Sequence, residues 1–282
     1  MTTGRFVSGR RQTPVSDARA AGEGFVHTKT FEILSRAGFV ARALVWGIIG
    51  LLAFKLAVGW GGTITNQQGA LHTVAKQPGG HFLLTLVAIG LGGYALWRFA
   101  RAALGHGPEG ADSGFERLAA AASGVGYAIL CALAVDILLG GDGSSTTPKS
   151  ATAGVLGWPA GTWIVGIAGA LMIGAGCYYA YRGITQRFLR DSKVEEMGPR
   201  IRAWITLIGT IGLAARAVVF VLVGVFLIKA AVDYNPQKAV GLDGALAKLV
   251  DANYGPWLLG LVAAGLISFA LYSLSDARYR RI

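Results

Sequence analysis

The stretches GFVARALVWGIIGLLAFKLAV, residues 38–58, and GLAARAVVFVLVGVFLIKAAV, residues 212–232, decide the fold. Each is apolar apart from one arginine and one lysine, and about 20 such residues in a helix cross a bilayer. They match at a constant offset of 174, so that Arg42 pairs with Arg216, Gly50 with Gly224 and Lys55 with Lys229. A chain that writes the same membrane helix twice is built from repeats. The whole composition agrees. Of 282 residues 53% are hydrophobic and only 15% charged, where soluble domains carry about 25% charged residues, and the mean hydropathy is +0.51. This excludes a disordered chain, and two cysteines exclude a disulfide scaffold.

Working outward, six spans are expected at residues 38–60, 81–104, 118–140, 161–184, 206–232 and 257–275. All eight prolines fall outside them, as expected of a residue that breaks helix interiors. Of the 26 basic residues, 18 lie in the N-terminal arm, the tail and the two connections on the same side, against four on the other. The positive-inside rule then places both termini in the cytoplasm. Trp60, Trp158, Trp163 and Trp257 fall at the outer boundary and Trp204 at the inner one, as interfacial anchors do. Residues 1–30, with Pro14, Asp17 and Glu23, lack the apolar run of a signal peptide and are expected to be a flexible cytoplasmic arm touching anionic lipid.

The repeat extends to the second helices. GAL at Gly69 recurs at Gly244, and YALW at Tyr94 becomes FALY at Phe269, an offset of 175. A weaker middle copy lies 81 residues after the first, with Ser123 in place of Arg42, Tyr127 of Trp46 and Asp136 of Lys55; YYAYR at Tyr178 is read as taking the place of YALWR. The expected fold is an all-α integral membrane protein of three tandem two-helix hairpins, residues 31–105, 112–186 and 205–281. Equal orientation of the copies implies a pseudo-threefold axis along the membrane normal. Apolar residues at helical spacing in QQGALHTVAKQPGG and GLDGALAKLVDANYG predict short helices on the outer face. Gly166, Ala170 and Gly174, and Ala88 and Gly92, make small-residue rows for close helix packing.

The repeated GxxARxxVxxxxG, the GAL that follows and the Gly-rich helix ending in YALW resemble the bacterial membrane-protein family catalogued as domain of unknown function twelve-oh-six. The resemblance covers nearly all of the chain after the arm. It implies a six-helix, three-repeat layout and brings no accepted activity, cofactor or catalytic residue.

Ionisable residues inside spans are costly and mark function by default, which singles out Arg42, Lys55, Asp136, Arg216 and Lys229. Against this stands depth: the arginines are placed about four residues, roughly 6 Å, from the cytoplasmic helix starts, where long side chains snorkel or bond between repeats. No ionisable residue is expected at the centre of a span. Lys55, Asp136 and Lys229 would form a net-positive ring near the outer leaflet, suited to a small anion or lipid headgroup. Tyr94, Trp97, Tyr178, Tyr181, Phe269 and Tyr272, with Arg98 and Arg182 beside them, are expected to form an interfacial aromatic belt. Cys131 and Cys177 are at different depths and read as packing residues, and His72 and His81 lack the companions of a zinc site. Asp191, Glu195 and Glu196 alternate with Arg187, Arg190 and Lys193 in a pattern that local helical pairing explains.

No GxSxG, HExxH, CxxC or phosphate-binding loop occurs. The expected function is therefore non-enzymatic: an accessory or scaffold component of a larger membrane complex, or a lipid-binding one, without cofactor or nucleic-acid partner. The alternative is a small transporter or channel for an anion or lipid-like solute along the pseudo-threefold axis.

Overall fold

The computed structural model describes residues 28–104, 114–141 and 148–281. Of the expected N-terminal arm, all but its last three residues lie outside these. The described chain forms α1 (Lys29–Ala57), α2 (Gln67–Ala75), α3 (Gly80–Leu104), α4 (Gly114–Leu138), α5 (Pro148–Leu156), α6 (Gly161–Ile184), α7 (Pro199–Val232), α8 (Leu242–Val250) and α9 (Gly255–Tyr279). Six of these, α1, α3, α4, α6, α7 and α9, are long and apolar enough to cross a membrane. The expected spans are therefore all present, and each of the three hairpins carries a short helix between its two long ones: α2, α5 and α8.

Two helices begin earlier than hydropathy suggests. Thr28 caps α1, its hydroxyl accepting from the Phe31 N–H at 3.2 Å, and Pro199 opens α7, where a missing N–H costs nothing. Arg42 thus stands 13 residues after Lys29 and 15 before Ala57, and Arg216 stands 17 after Pro199 and 16 before Val232. At about 1.5 Å per residue each is roughly 20–25 Å from either end of its helix, and both side chains are buried in the bundle rather than turned to its surface.

Close packing runs in an open sequence, α4 on α3, α3 on α1, α1 on α9, α9 on α7 and α7 on α6. Glycine governs it. Gly50 of α1 meets Ala263 and Ile267 of α9; Gly224 of α7 meets Gly169 and Ile173 of α6; Cys131 of α4 meets Gly92 of α3 and donates to the Ala88 carbonyl at 3.3 Å. These are the same repeat positions three times. In lipid no hydrophobic drive pulls helices together, and backbone approach at small residues replaces it. The contacts also fix the register of the middle copy. An offset of 81 sets Gly80 against Gly161 at the helix starts and Ala88 against Gly169 in the packing. Tyr178 therefore corresponds to Trp97 rather than Tyr94, and Ala175 takes the Tyr94 place.

Within the first and third hairpins the long helices also pack, Ala41 against Gly90 and Ala215 against Gly265. The middle hairpin differs: α4 and α6 do not pack closely on each other. At the position of Gly90 and Gly265 the middle copy has Leu171, an exposed side chain, in place of the glycine that admits close approach. Only 22% and 17% of the apolar windows of α4 and α6 are buried, against 56% for α1. The row Gly166, Ala170 and Gly174 is consequently not the packing edge of α6: Gly174 meets nothing, whereas Gly169 and Gly176 carry the contact with α7. Cys177 is exposed, and Trp60, Trp158, Trp163, Trp204 and Trp257 all project from the surface.

Gly224→Leu drives a side chain into the Gly169 carbonyl of α6, and overpacking of this kind costs about 1–3 kcal/mol. Gly174→Ala, in open space, is expected to be neutral or stabilising by up to about 1 kcal/mol from helix propensity. Reversible unfolding in mixed detergent measures both.

Candidate functional site

Arg42 and Arg216 occupy the same repeat position and are both buried, yet their surroundings differ. Arg42 projects from α1 towards α3 and α9. Its Nε donates to Ser273 Oγ at 3.1 Å, Nη1 to the Tyr94 hydroxyl at 2.7 Å and Nη2 to Asp276 Oδ2 at 2.7 Å. The rings of Phe39, Tyr94 and Phe269 surround the guanidinium at 4.9–5.3 Å. This is the bonding between repeats that the sequence reading set beside snorkelling, and every arm of the guanidinium is used.

Asp276 also accepts from Arg280 Nη1 at 3.3 Å, and Asp191 Oδ2 accepts from Arg280 Nη2 at 2.7 Å and Arg182 Nη2 at 2.8 Å. A buried chain of charges thus runs from the middle of α1 to the connection between α6 and α7. The end of the chain is held there by backbone bonds, Lys193 N–H to the Tyr279 carbonyl at 2.7 Å and Arg281 N–H to that of Asp191 at 2.9 Å. Burial alone would lower the Arg280 pKa, but Asp191 and then Asp276 overcome it and hold the group charged. Outside the buried chain, Glu195 is held below the usual carboxylate range by its own backbone N–H and by Arg281. Local pairing explains Glu196 with Lys193, but Asp191 is a buried junction rather than a surface group.

Arg216 has no such partner. Trp46 of α1, Tyr179 of α6, Phe269 of α9 and Phe220 of its own helix surround the guanidinium at 4.9, 4.5, 4.7 and 5.2 Å. Among the described residues no carboxylate reaches it, and its buried Nε donates to none of them. The reason lies in the repeat. Ser273 and Asp276 of α9, which serve Arg42, correspond in α6 to Tyr179 and Arg182, and Arg182 is committed to Asp191.

Lys55, Asp136 and Lys229 are exposed near the short-helix end of the bundle. Lys229 lies 5.7 Å from the Phe226 ring, the Asp136 carboxylate lies beside Gly141, and no ion pair joins either lysine to Asp136. The expected ring is not assembled. Ser123 is half-buried.

The aromatic belt needs correction. Tyr94, Trp97, Phe269 and Tyr272 are buried, because the faces that carry them turn onto neighbouring helices and enclose the arginines. Tyr178, half-buried beside Arg182, and Tyr181, exposed beside Arg187, keep an interfacial position. The sequence reading missed Asp276 and Arg280 by ending the last span at Ser275. The signal was present: Phe269, Ser273, Asp276 and Arg280 recur at helical spacing on one face. Among the described residues no group of three or more His, Cys, Asp or Glu side chains is placed to hold a metal ion.

Fold and site together define a helical membrane protein of three tandem hairpins whose centre holds two arginines among aromatic rings. The chain belongs to the family described as Domain of Unknown Function (DUF1206), whose pattern matches three times, at residues 37–111, 118–186 and 211–280. It is similar to Uncharacterized protein YxxB of Bacillus subtilis (strain 168), with 30% identity over 250 residues, 88% of this chain and 90% of that protein. No solved structure matches it.

Removing one partner of a buried ion pair costs about 3–5 kcal/mol, whereas replacing both with apolar groups is often neutral. Asp276→Asn and Arg42→Met are each expected to destabilise by that order, and the double variant by clearly less than the sum. A double-mutant cycle of detergent unfolding reads the coupling.

Proposed function

We propose that this protein is a non-enzymatic component of a bacterial inner membrane, one that binds lipid or packs against a larger membrane complex, and not a channel. The observation that carries this reading is the filled centre: Trp46 and Phe269 lie 5.7 Å apart, and the Arg216 guanidinium is packed against both. A conducting path along that line would require a polar, wetted lumen at mid-depth. What the bundle offers instead is lateral. The faces of α4 and α6 expose Leu118, Val125, Ile129, Ile164, Ile167 and Leu171, and these two are the least buried of the described spans.

The three hairpins are proposed to sit about a pseudo-threefold axis along the membrane normal. In support, Gly50, Cys131 and Gly224 each pack on the preceding even-numbered span at equivalent positions. Both chain ends are proposed to face the cytoplasm, following the excess of arginine and lysine at that end of the bundle.

Extraction of the full-length protein in native lipid discs, followed by mass spectrometry, should recover a stoichiometric protein partner or an enriched anionic lipid. Proteoliposomes should release entrapped chloride no faster than empty vesicles. Release that depends on the protein would favour transport along the axis and overturn this reading. A reporter enzyme fused after Ile282 should be active only if it functions in the cytoplasm.

A further inference from the structure

The contrast between Arg42 and Arg216 goes further than packing. Charge buried at mid-depth in a bundle is retained only when it is paired or used. Arg42 has Asp276, Ser273 and the Tyr94 hydroxyl. Arg216 has four aromatic faces and an Nε with no acceptor, in a side chain only 7% exposed. Cation–π contacts offset part of the cost of desolvation, but a ring face carries no net negative charge.

The middle hairpin provides the opening. The α4 face of Ala119, Ala122 and Gly126 and the α6 face of Leu171, Gly174 and Ala175 correspond to the surfaces that close on each other in the first hairpin, and here they stay apart. Gly126 and Gly174 have open space where a side chain would be. At the inner wall, Ser123 takes the position of Arg42, and Ala175 that of Tyr94 and Phe269, so an arginine and an aromatic ring are both missing from the same place. Half-buried Ser123, Ala175 and Tyr179 border it. Tyr127 of α4, 4.4 Å from the Tyr94 ring, lies within electrostatic reach of Arg216.

We propose that the cleft between α4 and α6 is a binding site for a lipophilic acid, an amphiphile with one carboxylate or phosphate head. The head pairs with Arg216, and the chain lies along the small apolar residues of the two helices. The guanidinium offers a planar donor fork that suits either acid group. An apolar chain explains why the walls are Ala, Gly and Leu rather than polar. The proposal rests on the lipid-binding branch of the function proposed above and names its ligand class and site.

The test uses the full-length protein in dodecyl maltoside. Laurate and dodecyl phosphate are titrated against thermal unfolding, with dodecyltrimethylammonium and inorganic phosphate as comparisons. Both acids are expected to raise the unfolding temperature saturably, the cationic amphiphile and free phosphate not. Arg216→Gln should weaken the acids at least tenfold. Because that variant disturbs a buried centre, Gly174→Phe and Gly126→Leu, which enter open space and leave the fold intact, should do the same by filling the cleft. Leu261→Ala, on the exposed face of α9, should bind as the wild type. Binding of the acids unaffected by all three cleft variants would leave lipid binding standing and overturn this site. No binding of either acid to the wild type would remove both. Free phosphate binding that depends on Arg216 but ignores Gly174→Phe would overturn the amphiphile.

Discussion

The pair between Arg42 and Asp276 joins the first long helix of the chain to the last, with both side chains buried. Removing either partner would leave the other charge buried and uncompensated, so the pair favours the return of α9 beside α1. The remaining contacts follow from that closure. Once α1 and α9 are adjacent, Gly50 admits Ala263 and Ile267, Phe269 is carried to the centre, and Asp276 is in place to pass the connection on to Arg280 and Asp191. Specificity comes from the polar pair and proximity from the glycines, a division of labour that suits a solvent as apolar as the helices themselves.

The spans, the repeats and the family were legible because they rest on long-range patterns: about 20 apolar residues in a row, and a period that returns Arg42 as Arg216. What was not legible rested on single residues at helix ends. Thr28 and Pro199 lengthen α1 and α7 beyond their apolar stretches, so both arginines lie near the middle of their helices rather than near the start. The same error of edge hid Asp276, since a span that ends at Ser275 excludes the one acid that matters most. The aromatic residues misled for a different reason. Tyrosine and tryptophan near arginine describe an interfacial belt and an arginine cage equally well, and only the orientation of Tyr94 and Phe269 in the fold separates the two. Of the candidate site, the arginines were readable as unusual; their unequal partners were not, because the inequality is set by Tyr179 and Arg182 on a helix whose register was three residues out.

The middle hairpin concentrates the departures from the repeat. Ser123 replaces an arginine, Ala175 an aromatic ring and Leu171 a glycine, and all three fall on the surfaces that would otherwise close α4 against α6. Each change is small in volume or charge, yet together they leave one hairpin splayed while the other two pack. A threefold repeat with three complete copies would be a solid bundle. With one copy altered, the same plan acquires a side.

The distance along the chain between Arg42 and Asp276 has a consequence for biosynthesis. The two are separated by 234 residues, and at about 5–20 residues per second α1 is made roughly 12–47 s before its partner carboxylate exists. During that interval Arg42 is a charge in a nascent membrane helix without its counter-ion, held by the insertion machinery or by provisional contacts with α3, whose Tyr94 hydroxyl arrives much sooner. The bundle is therefore completed by its last helix, and a chain truncated by seven residues, ending at Ser275, would keep all six hydrophobic segments and still lack the carboxylate that closes them.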